Sequence, residues 1–330
     1  MDDASFGALT KAFPRVLQNV RFSTEPLPAP AKKQPPFLCG AFSPDGSMIA
    51  LSGGGRIPSR PAIWIARVPS FETVASIRGH QGVHSLAWDA ATGLLASASN
   101  DYTAVMWDVT RRESFFVVGG DEEPIVKGHV AFAGRALFVG ETEAFAGLRA
   151  RLLRVSLDSG KVTTVHTGKA IKRLAVHPSG TWAIVEDDFH HPSEDRLIVN
   201  GEARAIDGPV HALGFRGDEL ACLVGKEKLE IRIGTERRAV DVAPPNHRAS
   251  FSPNGDALAI GHAGEVTLVD VASGAVRSTF KLGASPTLML AWSPSHLCAA
   301  NADAVALVDR ASGATVASIA PPAWFQSIGG

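Results

Sequence analysis

From about residue 37 onward the chain is a succession of short apolar runs, each closed by a polar turn. The clearest stretch is 79–109, GHQGVHSLAWDAATGLLASASNDYTAVMWDV. Apolar runs cover Val83–Trp88, Leu94–Ser99 and Thr103–Val109, and Ser114–Val118 follows after another polar turn. Each is of strand length and rich in Val, Leu, Ala or aromatics, so the pattern predicts four strands. The runs lack the strict alternation of a sheet that is wet on one face. LLASAS (94–99), ALAIGH (257–262) and HLCAANA (296–302) are apolar or small on both faces, which suits sheets covered on both sides.

This unit recurs along the chain. Alignment on the residue that ends its first strand selects Phe42, Trp88, Phe132, Val176, Phe215, Phe251 and Trp292, at intervals between 36 and 46 residues. Turn signals keep the same phase: SPDG at Ser43–Gly46, HPSG at His177–Gly180, SPNG at Ser252–Gly255 and SPS at Ser293–Ser295. A later turn repeats as Leu157–Gly160, Val269–Gly274 and Val308–Gly313. The units span about 37–80, 81–119, 123–168, 169–208, 209–243, 246–283 and 286–322. That period belongs to propeller blades, because one small sheet cannot keep both faces dry but a ring of them can. The predicted fold class is all-β, a seven-bladed β-propeller of four-stranded antiparallel blades.

In the second unit, Gly79-His80, the LASAS run, an Asp in the next turn and Trp107-Asp108 follow in order. This resembles a WD repeat, and the chain is identified as a divergent member of the WD40 family. The resemblance implies a buried hydrogen-bonded set made of His80, Ser97, Asp101 and Trp107. Such a set satisfies an imidazole, a hydroxyl and an indole N–H, so these residues read as structural rather than catalytic. Only the second unit keeps the full signature. Units six and seven have Val-Asp where Trp-Asp would stand, and unit one has Ile63-Trp64-Ile65 without the Asp. Units three to five are recognised by strand count and period.

Three segments divide the chain: an N-terminal arm with a Pro-rich linker (1–36), the propeller (37–322) and a C-terminal tail (323–330). In the arm, Phe6, Leu9 and Phe13 recur at helical spacing before Pro14. Val16, Gln18, Val20 and Phe22 fit one strand, and PLPAPAKKQPP (26–36) reads as an extended linker. The arm either lies on the outside of the ring, adds a strand, or stays disordered. The ring closes either with Ala314–Ile319 as its last outer strand or with the arm's strand.

Composition narrows the function classes. The net charge of −1 gives no global field for nucleic acid or an acidic membrane. Cys39, Cys222 and Cys298 have no CxxC spacing and read as small buried strand residues in a reducing compartment. The acidic start MDDASFGALTKAF is unlike a signal peptide, and no 18-residue apolar run is present, so the expected location is cytoplasmic. GxSxG, HExxH and a Rossmann fingerprint are absent, and no cofactor is expected. The diglycine run Gly53–Gly55 precedes IPSRP rather than a helix, so it lacks the setting of a phosphate loop.

The resemblance also points to a binding rim. In WD propellers the residue four before the strand-ending aromatic lies on the rim of the narrow, top face. Here that position reads Leu38, His84, Gly128, Lys172, His211, His247 and Leu288. Three His and a Lys near one axis suit an acidic or phosphorylated peptide, held more tightly as the histidines protonate near about pH 6.5. Asn100 and Tyr102 flank the turn Asp on the same face and add contacts. The loop Glu186–Asp195 lies between the second and third strands of blade four, where His190, His191, Asp187 and Asp188 are weak candidates for a divalent metal. The segment Gly140–Leu152 reads as an insertion mixing Glu141, Glu143 and Phe145 with Arg149 and Arg151, and Arg237-Arg238 as an outer turn. The function that follows is a non-catalytic scaffold holding a protein or peptide, possibly acidic, on the top face, with no membrane or nucleic-acid partner. The competing class is a metal-dependent propeller enzyme with its site at the channel mouth or in the 186–195 loop.

Overall fold

The computed structural model describes residues 2–14, 21–23, 37–53, 61–78, 80, 82–119, 125–143, 149–187, 195–245 and 248–320. Seven antiparallel sheets follow one another along the chain, and in each the strands pair in sequence order. The first strand of each sheet is innermost. These inner strands are Phe37–Phe42, Val83–Trp88, Ile125–Ala133, Ala170–Val176, Val210–Arg216, Arg248–Phe251 and Met289–Trp292. Each packs on the next, and the seventh returns to the first, so the sheets form a ring around a central channel.

The second strands are the driest. Leu95–Ser99 and Ala257–Gly261 are buried at every position, as their two-faced apolar runs require. Hydrophobic clusters form between neighbouring blades rather than within one: Ile63, Ile65 and Ile77 of blade one share a cluster with Leu86, Leu95 and Trp107 of blade two. Burial of each such side chain is worth about 1.5–3 kcal/mol, so the ring itself is the folding unit. The Ser that opens the SP turns staples its hairpin. The amides of Met48, Ala257 and His296 donate to Ser43, Ser252 and Ser293 at 2.9, 3.0 and 2.9 Å. At Gly255 the backbone is left-handed (φ +68), and a Cβ would lie 2.3 Å from the Phe215 carbonyl of blade five.

Both closure elements are present, with separate jobs. Blade seven is contiguous in sequence and ends on its own outer strand, Thr315–Ile319. The arm strand Arg21–Ser23 instead pairs with Thr73–Arg78 and makes blade one five-stranded, covering its outer edge. Blades one and seven meet through a side-chain cluster, with Phe42, Leu51 and Trp64 against Met289, Ala300 and Leu307.

The start of the arm is a helix, Asp3–Ala12, capped by Asp2, which accepts from the Ser5 amide at 2.8 Å. Phe6, Leu9 and Phe13 enter the cluster between blades two and three beside Leu94, Phe115 and Leu157. Arg111 lies over the Phe6 ring at 4.6 Å and pairs with Asp3 at 2.9 Å. Gly160, left-handed at φ +68, leaves room for the helix: a Cβ there would be 2.4 Å from the Ala12 carbonyl. The helix therefore sits on the bottom face, where the turns leading into second and outer strands lie.

Two sequence readings change. Arg237 and Arg238 lie within the outer strand Glu236–Val240 rather than in a turn. The segment 140–152 is no free insertion, because Gly140–Thr142 and Ala150–Leu152 are strand ends paired with each other. Phe145, the Pro-rich linker, Gly54 and Gly55, and the C-terminal tail lie outside the described residues. Among the described residues, no helix is long and apolar enough to cross a membrane.

Candidate functional site

The top of blade two holds the expected set as a continuous relay. The Trp107 indole donates to Ser97 Oγ at 2.8 Å, and that hydroxyl lies 2.9 Å from His80 Nε2. His80 Nδ1 is 2.7 Å from Asp101 Oδ2, and Asp101 also accepts from the Thr103 hydroxyl at 2.6 Å. One assignment satisfies every atom: a neutral imidazole accepts the Ser97 proton at Nε2 and donates from Nδ1 to the carboxylate. His80, Ser97 and Trp107 are buried, leaving no room for a substrate. Trp64 has no such role. It pairs across from Leu51, whereas the partner of Ile49, the position matching Trp107, is Ala66. The Trp64 indole donates to Thr73 Oγ1 at 3.0 Å instead.

The rim position is more divided than its sequence pattern suggested. His84 is exposed, while Lys172 and His211 are half-buried. The Lys172 ammonium pairs at 2.9 Å with Asp195, whose side chain is 1% exposed and also accepts from the Val210 amide at 2.7 Å. His211 Nε2 donates to the Gly225 carbonyl at 2.7 Å. Burial, helped by Arg173 and Lys172, lowers the His211 pKa, so this ring is neutral at pH 7. His247 lies outside the described residues. Asn100 sits beside the start of the inner strand, its amide donating to the Gly82 carbonyl at 3.1 Å. Tyr102 is at the far edge of the blade, its carbonyl against Gly119 at the end of the outer strand. The structure thus groups Asn100 with the strand that bears His84 and places Tyr102 apart from it.

The 186–195 loop is anchored at both ends. Glu186 is buried, 2.8 Å from His166 and 3.2 Å from Arg196, and accepts from the Lys169 amide at 3.0 Å. Asp195 is the counter-ion of Lys172, as above. Asp187 ends the second strand of blade four with Oδ1 buried and without a hydrogen bond. Asp188, His190 and His191 lie outside the described residues, and among the described residues no three His, Cys, Asp or Glu side chains gather as a metal site. The three cysteines are free, and burial raises the Cys39 and Cys222 thiols to about 12, so neither is a ready nucleophile.

One feature escapes the sequence reading. One residue past the rim position, the inner strands carry Cys39, Ser85, His129, Arg173, Ala212, Arg248 and Met289. Five of these reach the next blade. Cys39 Sγ donates to the Val83 carbonyl at 3.6 Å, and Ser85 Oγ accepts from the Val130 amide at 3.2 Å. His129 Nε2 lies 3.0 Å from the Ile171 carbonyl. Arg173 Nε donates to Val210 at 3.1 Å and Arg248 Nε to Leu288 at 2.8 Å. Blades one to five bulge just before this position, which redirects the side chain. The signal was available: polar residues recur where an inner strand could have been apolar throughout.

Comparison with known proteins agrees with the architecture. A family model described as WD domain, G-beta repeat, matches residues 71–108. No curated protein sequence matches the chain. A chain of the hydrazine synthase of Kuenenia stuttgartiensis superposes with a TM-score of 0.65 at 14% identity, covering 86% of this chain and 98% of that one. Sqt1 of Chaetomium thermophilum, solved bound to the N-terminus of the ribosomal protein L10, gives 0.58 at 16% identity, with 88% and 89% covered. At such identities the likeness is one of fold.

Proposed function

This chain is a WD40-repeat seven-bladed propeller, and from that premise we propose that it is a non-catalytic scaffold holding a protein or peptide on its top face. The observation that carries this reading is the division of labour around the ring. The blade-two imidazole is buried in a structural relay that ends on the Asp101 carboxylate, whereas His84 is left exposed on the rim beside the Asn100 turn. Polar side chains on a rigid ring, with loops above them, form a recognition surface rather than reaction machinery. Sqt1, which shares the fold, holds a protein N-terminus, a ligand of the kind proposed. The partner segment is acidic, matching the excess of cationic groups around the channel mouth, and the work is done in the cytoplasm.

Affinity purification of the full chain at native level tests this. His84→Glu combined with Asn100→Asp changes the rim without replacing a relay residue. The expected result is at least a fivefold loss of co-purified partner, on the order of 1 kcal/mol at two surface contacts. Recovery of the same partners in the same amounts removes the top-face reading.

A further inference from the structure

The channel carries more positive charge than its structural role explains. Arg173 and Arg248 occupy equivalent places on the inner strands of blades four and six. Each spends only Nε on a carbonyl of the next blade. Among the described residues, neither guanidinium meets a carboxylate within ion-pair distance, and their terminal nitrogens have no hydrogen-bond partner. The nearest carboxylate, Asp195, is already engaged by Lys172 and the Val210 amide. Three fixed cations at this level therefore face one buried carboxylate.

The two arginines are close enough to feel each other. Burial, then Arg248, lowers the Arg173 pKa to about 10. The His129 ring is pushed down to about 4, first by burial and then by Arg173, His84 and Arg248. These groups therefore lie within electrostatic reach of one another. Blade five, which stands between the two arginine-bearing blades, contributes Ala212 at this level, a side chain too short to reach between them. Arg248 is exposed, yet neighbouring protein still lowers its pKa through desolvation. Partly desolvated guanidiniums without a counter-charge are costly, and their free N–H forks match the geometry of an oxyanion.

We infer that Arg173 and Arg248 form a seat for one oxyanion, a carboxylate or phosphoryl group, that enters the channel from the top face. The inference rests on the reading of that face as the site for an acidic segment, and it names where the segment's charged group lodges. A free phosphate carries the same chemistry and would compete for the same place.

Titration calorimetry of the full chain with inorganic phosphate, against chloride at matched ionic strength, tests the seat. The expected result is one phosphate per chain, with chloride inert. Arg173→Gln with Arg248→Gln should weaken phosphate on the order of tenfold per arginine. Arg173→Lys with Arg248→Lys removes the same Nε staples but keeps the charge, and should retain most of the affinity. That pair separates loss of the seat from loss of fold. Phosphate binding unchanged in the Gln pair, or equal heats from chloride, overturns the seat.

A fluorescent hexaglutamate peptide, followed by anisotropy, separates the sources. Peptide that binds and is displaced by phosphate supports a segment in the channel. Peptide that binds the Gln pair as tightly as the parent overturns the seat for a segment while leaving the top-face reading intact. Phosphate bound through the arginines with no peptide binding leaves the seat standing and removes the acidic-segment reading.

Discussion

Blades two and three solve the same problem with opposite chemistry. Both must satisfy polar groups at the dry top of a sheet pressed between neighbours. Blade two does so with a neutral chain from Trp107 through Ser97 and His80, which ends on Asp101, a carboxylate with 21% of its side chain exposed. Blade three has Val139 at the Ser97 level and, two residues on, Glu141 at the Ser99 level. Glu141 is 2% exposed, meets Lys127 (1% exposed) at 2.5 Å and accepts from Arg151 at 2.8 Å. Blade four repeats the device with Glu186, His166 and Arg196. A relay of neutral donors carries little desolvation cost. A buried ion pair carries a large one, and is held only while both partners remain.

The largest effect should come from removing one partner of the blade-three pair. Lys127→Met leaves Glu141 buried with only the half-exposed Arg151, and should cost about 3–5 kcal/mol in urea unfolding. Lys127→Met with Glu141→Gln should recover much of that loss. A single variant that costs no more than the double one would break the contrast between the blades.

A smaller effect is expected in blade two. Ser97→Ala leaves the Trp107 indole and His80 Nε2 unpartnered in a buried site, at about 2 kcal/mol. Because no full charge is stranded there, the loss should stay below that of Lys127→Met under the same conditions. The reverse order would mean that the relay, rather than the ion pair, is the more fragile device.

The shallowest effect, taken per pH unit, is a pH dependence centred on blade three. His129 has its pKa at about 4, below the unfolded value of about 6.5, because it is enclosed beside Arg173, His84 and Arg248. The unfolded chain therefore takes up the proton first. The stability this ring contributes is complete above about pH 6.5, falls as the pH drops, and is gone below about 4. The expected slope is on the order of 1 kcal/mol per pH unit within that window, and His129→Gln should flatten it in thermal melts at matched pH. A parallel decline in the variant would place the titration elsewhere.

The same contrast explains what was legible beforehand. Blade two could be read because its four polar residues stand at fixed spacing with a distinctive Trp-Asp, and their roles are local to one sheet. The fold followed from the repeat and from strands apolar on both faces, such as LLASAS. The Glu141 and Glu186 clusters were hidden because their partners come from other strands: Lys127 and Arg151 of blade three for the first, His166 of blade three and Arg196 of blade four for the second. A strand-end Glu beside Arg reads as surface polarity unless the pairing register is known. Trp64 misleads for the same reason, being two residues short of the Trp107 level. At the channel, counting back from the aromatic found the rim but missed the cross-blade ring one residue later, because a bulge breaks the two-residue alternation on which such counting depends.

The junction of blades one and seven has a mechanical corollary. Among the described residues no strand is exchanged across it, so no row of backbone hydrogen bonds between them locks the circle shut. Breathing of the whole toroid should begin at that seam, parting Trp64 and Phe42 from Leu307 and Met289 while every sheet remains intact. The molecule is, in this respect, a coiled strip whose two ends are merely pressed together.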